Sequence, residues 1–199
     1  MGALAARTRR IGAGLKDIGN THDAVYCPGL NFAALRKLNR QKMMKEWRLV
    51  SRRVEAEITV MCMLCNGSKV LVQERLDKNW PGIAFPGGHI ELDESFSQAA
   101  VREMLEETGL KIEDPRLCGV KSVLFEEGRR YIVFLFTACQ FTGNIQSSEE
   151  GEVFWVERSQ LPDMNLCSTM GELLPVFFEE QYTEFFNDRT KSGNNIQLF

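Results

Sequence analysis

Three glutamates lie close together in one short segment of the sequence. Glu103, Glu106 and Glu107 are separated by three positions and by one. At these spacings a helix places all three carboxylates on one face. Crowded like charges cost stability, and a hard divalent cation with oxygen ligands relieves their repulsion. The spacing therefore indicates a site for Mg²⁺ or Mn²⁺, and a solvated acidic face without function is the alternative that the carboxylates alone leave open.

Two further charged residues adjoin this cluster. Arg102 directly precedes Glu103, and Glu94 stands at the predicted start of the same helix, within reach of the guanidinium. The helix is predicted to begin after Asp93, a suitable N-cap, and to end at Gly109, because glycine adopts positive φ without strain. Apolar residues at helical spacing predict its core face: Phe96, Ala99, Ala100, Val101 and Met104.

The segments on either side of this helix have the patterns of β-strands and turns. Asn66-Gly67 is a strong hairpin signal, and residues 78–88 form a loop rich in glycine and proline. A closing helix over 171–186 and a polar, frayed tail over 188–199 are predicted after the last strand. Strands are predicted at 54–64, 69–76, 83–85, 118–125, 131–141 and 152–156.

The segment from Gly88 to Leu110 resembles the signature of the Nudix hydrolase family. That signature is Gly, five residues, Glu, seven residues, Arg-Glu, an aliphatic residue, any residue, Glu-Glu, any residue, Gly and an aliphatic residue. The resemblance continues over about residues 54–186, and it implies an α/β fold with a mixed β-sheet sandwiched between helices (α/β/α). All nine specified positions match without a gap: Gly88, Glu94, Arg102, Glu103, Met104, Glu106, Glu107, Gly109 and Leu110.

The resemblance also implies a metal site on this helix. Mg²⁺ is the implied cofactor, with Mn²⁺ as the alternative. Arg102 and Glu94 would hold the metal ligands in place, which matters because such ligands must be fixed within a fraction of an ångström. The implied ligands are Glu103, Glu106, Glu107 and the carbonyl oxygen of Gly88.

The resemblance implies a pyrophosphohydrolase but leaves its general base open. In the implied reaction the metal neutralises diphosphate oxygens, positions a water molecule and lowers the pKa of that water. A carboxylate then takes the proton. In some members of the family this base is the glutamate at the position of Glu103. In others it is an acid on a later loop, which here means Glu149 or Glu150. The products would be a nucleoside monophosphate with pyrophosphate or phosphate.

The segments 80–91 and 161–166 are similar to the bacterial MutT-type branch, which implies 8-oxo-dGTP as the substrate. Asn165 would recognise the oxidised purine, because an amide both donates and accepts, and a surface turn residue is the alternative. Trp80 and Phe85 would stack on the base, with a core role as the alternative for Phe85. ADP-ribose, an NDP-sugar, a dinucleoside polyphosphate, an RNA 5′ end and a non-catalytic nucleotide-sensing role stay open.

The distribution of charge divides the chain. Residues 1–53 hold twelve basic and three acidic residues, a net charge of +9, whereas all 199 residues together carry −3. This break predicts a poorly ordered basic extension over 1–50, a Nudix domain over 51–187 and a polar tail over 188–199. The alternatives for the extension are an arm that contacts nucleic acid or membrane, an organellar presequence, or translation that begins at Met43 or Met44.

Composition excludes several other classes of protein. The sequence has no run of about 18 apolar residues that would span a membrane, and residues 1–15 lack the features of a secretory signal. Six scattered cysteines predict reduced thiols, and two histidines supply a zinc site poorly. We expect a cytoplasmic monomer or homodimer with a nucleotide as its small-molecule substrate and no membrane partner. RNA bound by the basic extension is the alternative partner.

Overall fold

The computed structural model of the protein describes residues 54–193 and 195–199. These residues all lie within one unit of the chain, Ser51–Phe199. The hypotheses for residues 1–53 fall outside the described residues, and the domain boundaries at 50 and 187 stay predictions. No helix within the described ranges is long and apolar enough to cross a bilayer. The cysteines in these ranges are free thiols.

The described chain alternates between strands and a few helices. The strands before the carboxylate helix are β1 (Ala56–Asn66), β2 (Lys69–Arg75) and β3 (Gly82–Ala84), and that helix is α1 (Phe96–Thr108). After it come β4 (Leu110–Glu113), β5 (Arg116–Leu124), β6 (Arg130–Ala138), β7 (Gln140–Gly143), β8 (Gly151–Glu157), a 3₁₀ helix (Arg158–Asp163), α2 (Met170–Phe178), β9 (Glu184–Asp188) and β10 (Ile196–Leu198).

The main sheet mixes parallel and antiparallel strands. Its order is β10-β9-β5-β6-β1-β2-β3, and β8 pairs with β2 along the whole length of β2. The pairs β1–β6 and β5–β9 are parallel, whereas the hairpins β1–β2 and β5–β6 are antiparallel. Strands β4 and β7 form a separate two-stranded sheet next to the end of α1. The predicted mixed sheet is confirmed.

The two α-helices pack on opposite faces of this sheet. On β1, Val60, Cys62 and Leu64 alternate with Met61 and Met63, and successive side chains of a strand point to opposite faces. The first set belongs to the same core cluster as α1, and the second set belongs to the same cluster as α2. The alternation therefore places one apolar layer on each side of the sheet, and the predicted α/β/α sandwich is confirmed.

The end of the chain differs from the prediction. The closing helix predicted over 171–186 ends at Phe178, and β9 follows it and pairs with β5. The residues predicted as a frayed tail include β10, which pairs with β9. Both predictions are wrong because Phe185, on β9, is fully buried in the sheet, where its packing outweighs local helical periodicity.

The boundaries of the other elements need smaller corrections. Helix α1 begins after Ser95, not after Asp93, because Ser95 forms a capping box with Gln98. The Ser95 amide donates to the Gln98 side chain at 2.8 Å, and the Gln98 amide donates to the Ser95 hydroxyl at 3.3 Å. Gly109 ends the helix with φ +72°, as predicted. The strand predicted over 131–141 is two strands, β6 and β7.

Candidate active site

Arg102 links the start of α1 to the carboxylates of the helix. Its Nε and Nη2 donate to the two oxygens of Glu94 at 3.1 and 2.6 Å, and Nη2 also donates to the carbonyl of His89 at 2.9 Å. Its Nη1 donates to Glu103 at 2.8 Å and to Glu106 at 3.1 Å. The hydrogen bonds from Arg102 lower the pKa of Glu94. The arginine therefore holds three glutamates in one charged network.

The glutamates of α1 differ in burial. Glu103 and Glu107 are 8% and 3% exposed, whereas the side chain of Glu106 is 59% exposed. Burial raises the pKa of Glu103, and it raises the pKa of Glu107 to about 8, with a further contribution from the nearby Glu150 carboxyl. Glu107 Oε2 accepts from the amide of Gly87 at 3.0 Å. Glu107 Oε1 is buried without a hydrogen-bond partner among the described residues.

Gly88 brings the loop before α1 directly against Glu103. A Cβ atom on Gly88 would lie 2.6 Å from the Glu103 carboxylate, so any other residue here would displace that carboxylate from its present position. The Gly88 carbonyl accepts from the amide of Val60 on β1 at 2.9 Å. A carbonyl oxygen has two lone pairs, so this hydrogen bond leaves one for another ligand.

Among the described residues, no group of three or more Asp, Glu, His or Cys side chains is already arranged to hold a metal ion. A divalent cation nevertheless fits the residues present, because their oxygens are hard ligands and the buried Glu107 Oε1 has no donor. The exposed side chain of Glu106 has room to change rotamer toward such an ion.

A cavity of about 660 Å³ opens beside Glu103, whereas Glu106 and Glu107 do not line it. Gly87, Gly88, Arg102, Glu103 and Glu150 line it on the side of α1. This volume lies within the range of small-molecule binding sites. The rest of the wall comes mainly from the main sheet and from the segments around α2, and it includes Thr59, Asp77, Trp80, Lys121, Tyr131, Ser168, Thr169 and Arg189.

The structure separates the two aromatic residues predicted to stack on a base. Trp80 lines the cavity, and its Nε1 donates to the carbonyl of Ser168 at 3.1 Å. Phe85 also borders the cavity but is 1% exposed. Its ring packs edge to face on Phe177, with the ring centres 5.0 Å apart. Phe85 is therefore a core residue, and Trp80 remains as the predicted stacking residue.

Of the remaining predicted residues, one lines the cavity and two do not. The side chain of Asn165 is exposed and does not line the cavity, and its backbone carbonyl accepts from the amide of Ile83 at 2.9 Å. Asn165 thus has the placement of a surface residue that orders the backbone. Of the two acids on the later loop, Glu150 lines the cavity and Glu149 does not. Glu150 lies 4.0 Å from Arg75 Nη1.

The cavity wall also holds residues that the sequence did not predict. Lys121 lies on β5, and its Nζ donates to the Thr169 hydroxyl at 3.1 Å. Arg189 directly follows β9, in a region predicted to be a polar tail. The signal that could have identified Lys121 is a lysine in the middle of an otherwise apolar strand, where a buried charge needs a partner or a function.

Fold and site together define a class of protein. The buried carboxylate of Glu103 and the guanidinium of Arg102 line a nucleotide-sized cavity, and the sheet beside it is covered by helices on both faces. This arrangement suits metal-assisted hydrolysis of phosphoric anhydrides.

Comparisons with known proteins agree with this class. The sequence model described as NUDIX domain matches residues 56–177. The uncharacterized Nudix hydrolase YvcI of Bacillus subtilis (strain 168) is 30% identical over 125 residues, which are 60% of this chain and 78% of that protein. The chain belongs to the Nudix hydrolase family. It is a pyrophosphohydrolase that acts on nucleoside diphosphate derivatives, and Nudix hydrolases generally use divalent metal ions.

One further relative by sequence and one solved structure are also similar to this chain. The m7GpppN-mRNA hydrolase NUDT17 of Danio rerio is 38% identical over 72 residues, which are 35% of this chain and 24% of that protein. The crystal structure of the Mutator MutT protein of Bacillus halodurans superposes with a TM-score of 0.58 and 22% identity, and covers 71% of this chain and 97% of that one. The MutT likeness shows the shared fold.

Proposed function

We propose that this enzyme hydrolyses the diphosphate bond of a nucleoside triphosphate or of a nucleoside diphosphate derivative, with Mg²⁺ or Mn²⁺ as its metal. The observation that carries the proposal is the buried Glu107, which lies on the same helix as two more carboxylates, has no donor to its Oε1 among the described residues and lies near the Glu150 carboxyl. A buried carboxylate oxygen that faces another carboxyl is costly unless a proton or a cation lies between them. The residues proposed to hold the cation are Glu103, Glu106, Glu107 and the carbonyl of Gly88.

The other residues of the network would position these ligands. Arg102, fixed by both oxygens of Glu94, sets the direction of Glu103 through its hydrogen bond. When bound, the cation neutralises phosphate oxygens and activates the attacking water. In the proposed step the water oxygen bonds to phosphorus, the bridging P–O bond breaks, and a carboxylate takes the proton.

We assign the proton to Glu150. This residue lines the cavity beside Glu107, whereas Glu149 does not line it. Glu103 is less suited because its Oε1 already accepts from Arg102 at 2.8 Å and because it is one of the groups proposed to hold the cation. A base must lie within reach of the water, and Glu150 lines the cavity in which the substrate and the water would meet.

The proposed substrate is 8-oxo-dGTP, hydrolysed to the monophosphate and pyrophosphate. The support for it is the similarity to the MutT-type branch and the presence of Trp80 in a cavity of about 660 Å³. Hydrolysis of an RNA 5′ cap is a second candidate, which the similarity to the Danio rerio mRNA hydrolase favours. A non-catalytic sensor role is disfavoured because all glutamates of the signature are present.

Chromatographic analysis of all products formed with Mg²⁺, nucleotides and sugar phosphates as well as phosphate and pyrophosphate, tests this proposal across a panel. The panel is 8-oxo-dGTP, the ordinary dNTPs and NTPs, ADP-ribose, NDP-sugars, dinucleoside polyphosphates, and capped or 5′-triphosphate RNA. We expect Mg²⁺-dependent turnover with 8-oxo-dGTP as the best substrate. A preference for another compound would keep the reaction and reject the proposed substrate. No turnover of any compound would reject the enzymatic proposal.

A further inference from the structure

Lys121 is a buried cation in the wall of the cavity. It is 6% exposed, and its Nζ lies 5.7 Å from the ring centre of Trp80 and 5.5 Å from that of Phe185. Within the described residues it donates to the Thr169 hydroxyl, and no carboxylate forms an ion pair with it. Burial lowers the pKa of Lys121 to about 8, and Arg189 acts in the same direction. An ammonium has three donors, so two remain for a ligand.

Thr169 is held in a strained conformation to meet this lysine. Its φ of +65° lies in the left-handed region, which a β-branched residue rarely adopts. It occupies the N-cap position of α2, yet its side chain makes no capping hydrogen bond. Its hydroxyl accepts from Lys121 instead. Strain of this kind persists where the surrounding structure enforces it, and it is concentrated at functional sites.

The register of the sheet sets the distance between Lys121 and the loop before α1. Lys121 pairs with Val133, Val133 pairs with Thr59, and Thr59 pairs with His89. Neighbouring strands lie about 4.8 Å apart, so three steps separate the backbones of Lys121 and His89 by about 14 Å. A side chain on a strand stands roughly perpendicular to its sheet, so the ammonium keeps about this lateral distance from the loop. This distance suits a nucleoside whose diphosphate lies near Gly88.

We propose that Lys121, oriented by Thr169, recognises the carbonyl oxygen at C6 of guanine or at C4 of uracil or thymine, and so selects these nucleotides over adenine and cytosine nucleotides, which carry an amino group at that position. This inference rests on the proposed function, which places the diphosphate at the carboxylates of α1. Lysine only donates hydrogen bonds, and it pairs with the O6 and N7 acceptors of guanine. The amino groups of adenine and cytosine would place a donor against this donor.

Two features of the wall favour a base over an anion as the partner of Lys121. The ring of Trp80 lies in the same wall, with Arg75 and Lys121 over it at 5.3 and 5.7 Å from its centre, so it adds apolar contact area beside a planar base. Asp77 also lines the cavity, and its carboxylate would repel a phosphate but accept from a ring N–H of guanine or uracil. Oxidised guanine keeps the carbonyl at C6, so the selection agrees with the proposed substrate.

The test compares kcat/KM for GTP, UTP, ATP and CTP with Mg²⁺. We expect the wild-type enzyme to prefer GTP and UTP by about tenfold or more. Lys121→Met should remove most of this preference, mainly by raising KM for GTP and UTP. Lys111→Met, on the exposed face of β4, is the matched control and should keep the preference. Equal kcat/KM for all four wild-type substrates, or an unchanged preference in Lys121→Met, would overturn the proposal.

Two further arms keep the test decisive. Calorimetric binding of the non-hydrolysable α,β-methylene analogues of GTP and ATP gives the preference without turnover, so it separates this inference from the proposed function.

Thr169→Gly removes the hydroxyl and relieves the strained φ, so it preserves the fold if Lys121→Met does not. It should weaken the preference, whereas Thr169→Ser should keep it. Competition by inorganic phosphate that requires Lys121, without any preference among bases, would assign the lysine to an anion and overturn the proposal.

Discussion

At the scale of single residues, the charged groups of the site depend on one arginine. Arg102 contacts Glu94, Glu103 and Glu106 and also the carbonyl of His89. Without it, three carboxylates would face one another with little compensation. The planar guanidinium donates in several directions at once, which a lysine ammonium in its place would not reproduce.

Lys121 predicts a pH dependence of stability. Its pKa is about 8 in the folded protein, below the ordinary 10.5. Between these two values the unfolded chain binds the extra proton, so the contribution of Lys121 to stability rises with pH and is lost as pH falls through about 8. The full difference is about 3 kcal/mol.

Urea unfolding between pH 7 and 10.5 measures this effect. The free energy of unfolding of the wild-type protein should rise with pH relative to that of Lys121→Met. Lys111→Met should follow the wild-type curve. Parallel curves for the wild-type protein and Lys121→Met would contradict the buried, cationic environment assigned to Lys121.

At the scale of elements, Gly109 determines how α1 passes into β4. Its φ is +72°, and a Cβ would lie 2.7 Å from the carbonyl oxygen of Asn144. Gly128 has a similar φ of +76° but nothing within 4 Å of its Cβ position. Gly128→Ala should destabilise the protein by roughly 1 kcal/mol, from backbone strain alone. Gly109→Ala should destabilise it further, because its new methyl group also meets the Asn144 carbonyl oxygen. Thermal unfolding of the two variants checks this, and equal losses would show that the contact at Gly109 is unimportant.

The elements also show how far a sequence alone can lead. Strands β1 and β2 and helix α1 were predictable because each carries a local signal: alternation, a hairpin turn or a helix-ending glycine. Strand β9 was not predictable, because its buried Phe185 fits a helical period and a strand equally well. Only the pairing with β5, which is distant in sequence, decides between them.

The candidate site likewise has a part that the sequence predicts and a part that it does not. The residues of the signature lie within one segment, so their spacing alone predicts that they meet. The cavity wall unites Trp80, Lys121, Thr169 and Arg189 from segments far apart in the chain. A local resemblance predicted that Asn165 contacts the base. Asn165 is exposed and does not line the cavity, whereas Lys121 on β5 lines it.

At the scale of the whole molecule, the charge division predicts that residues 1–50 are an extension of the enzyme. Deletion of these residues should leave kcat/KM and the midpoint of thermal unfolding unchanged, since the Nudix match begins at residue 56. If the extension binds RNA through its basic residues, the deletion should remove salt-dependent RNA binding. Loss of nucleotide hydrolysis on deletion would show that the extension belongs to the catalytic unit.

The most direct test of the central claim is the rate of hydrolysis of the best nucleotide substrate, with Mg²⁺, by Glu106→Gln. Glu106 is exposed, so the fold should survive the change. The rate should fall on the order of 10²-fold or more if Glu106 holds the metal. Glu113→Gln, an exposed position on β4, should retain the wild-type rate. A Glu106→Gln variant that hydrolyses the substrate as fast as the wild-type enzyme would contradict the assignment of the metal site to α1.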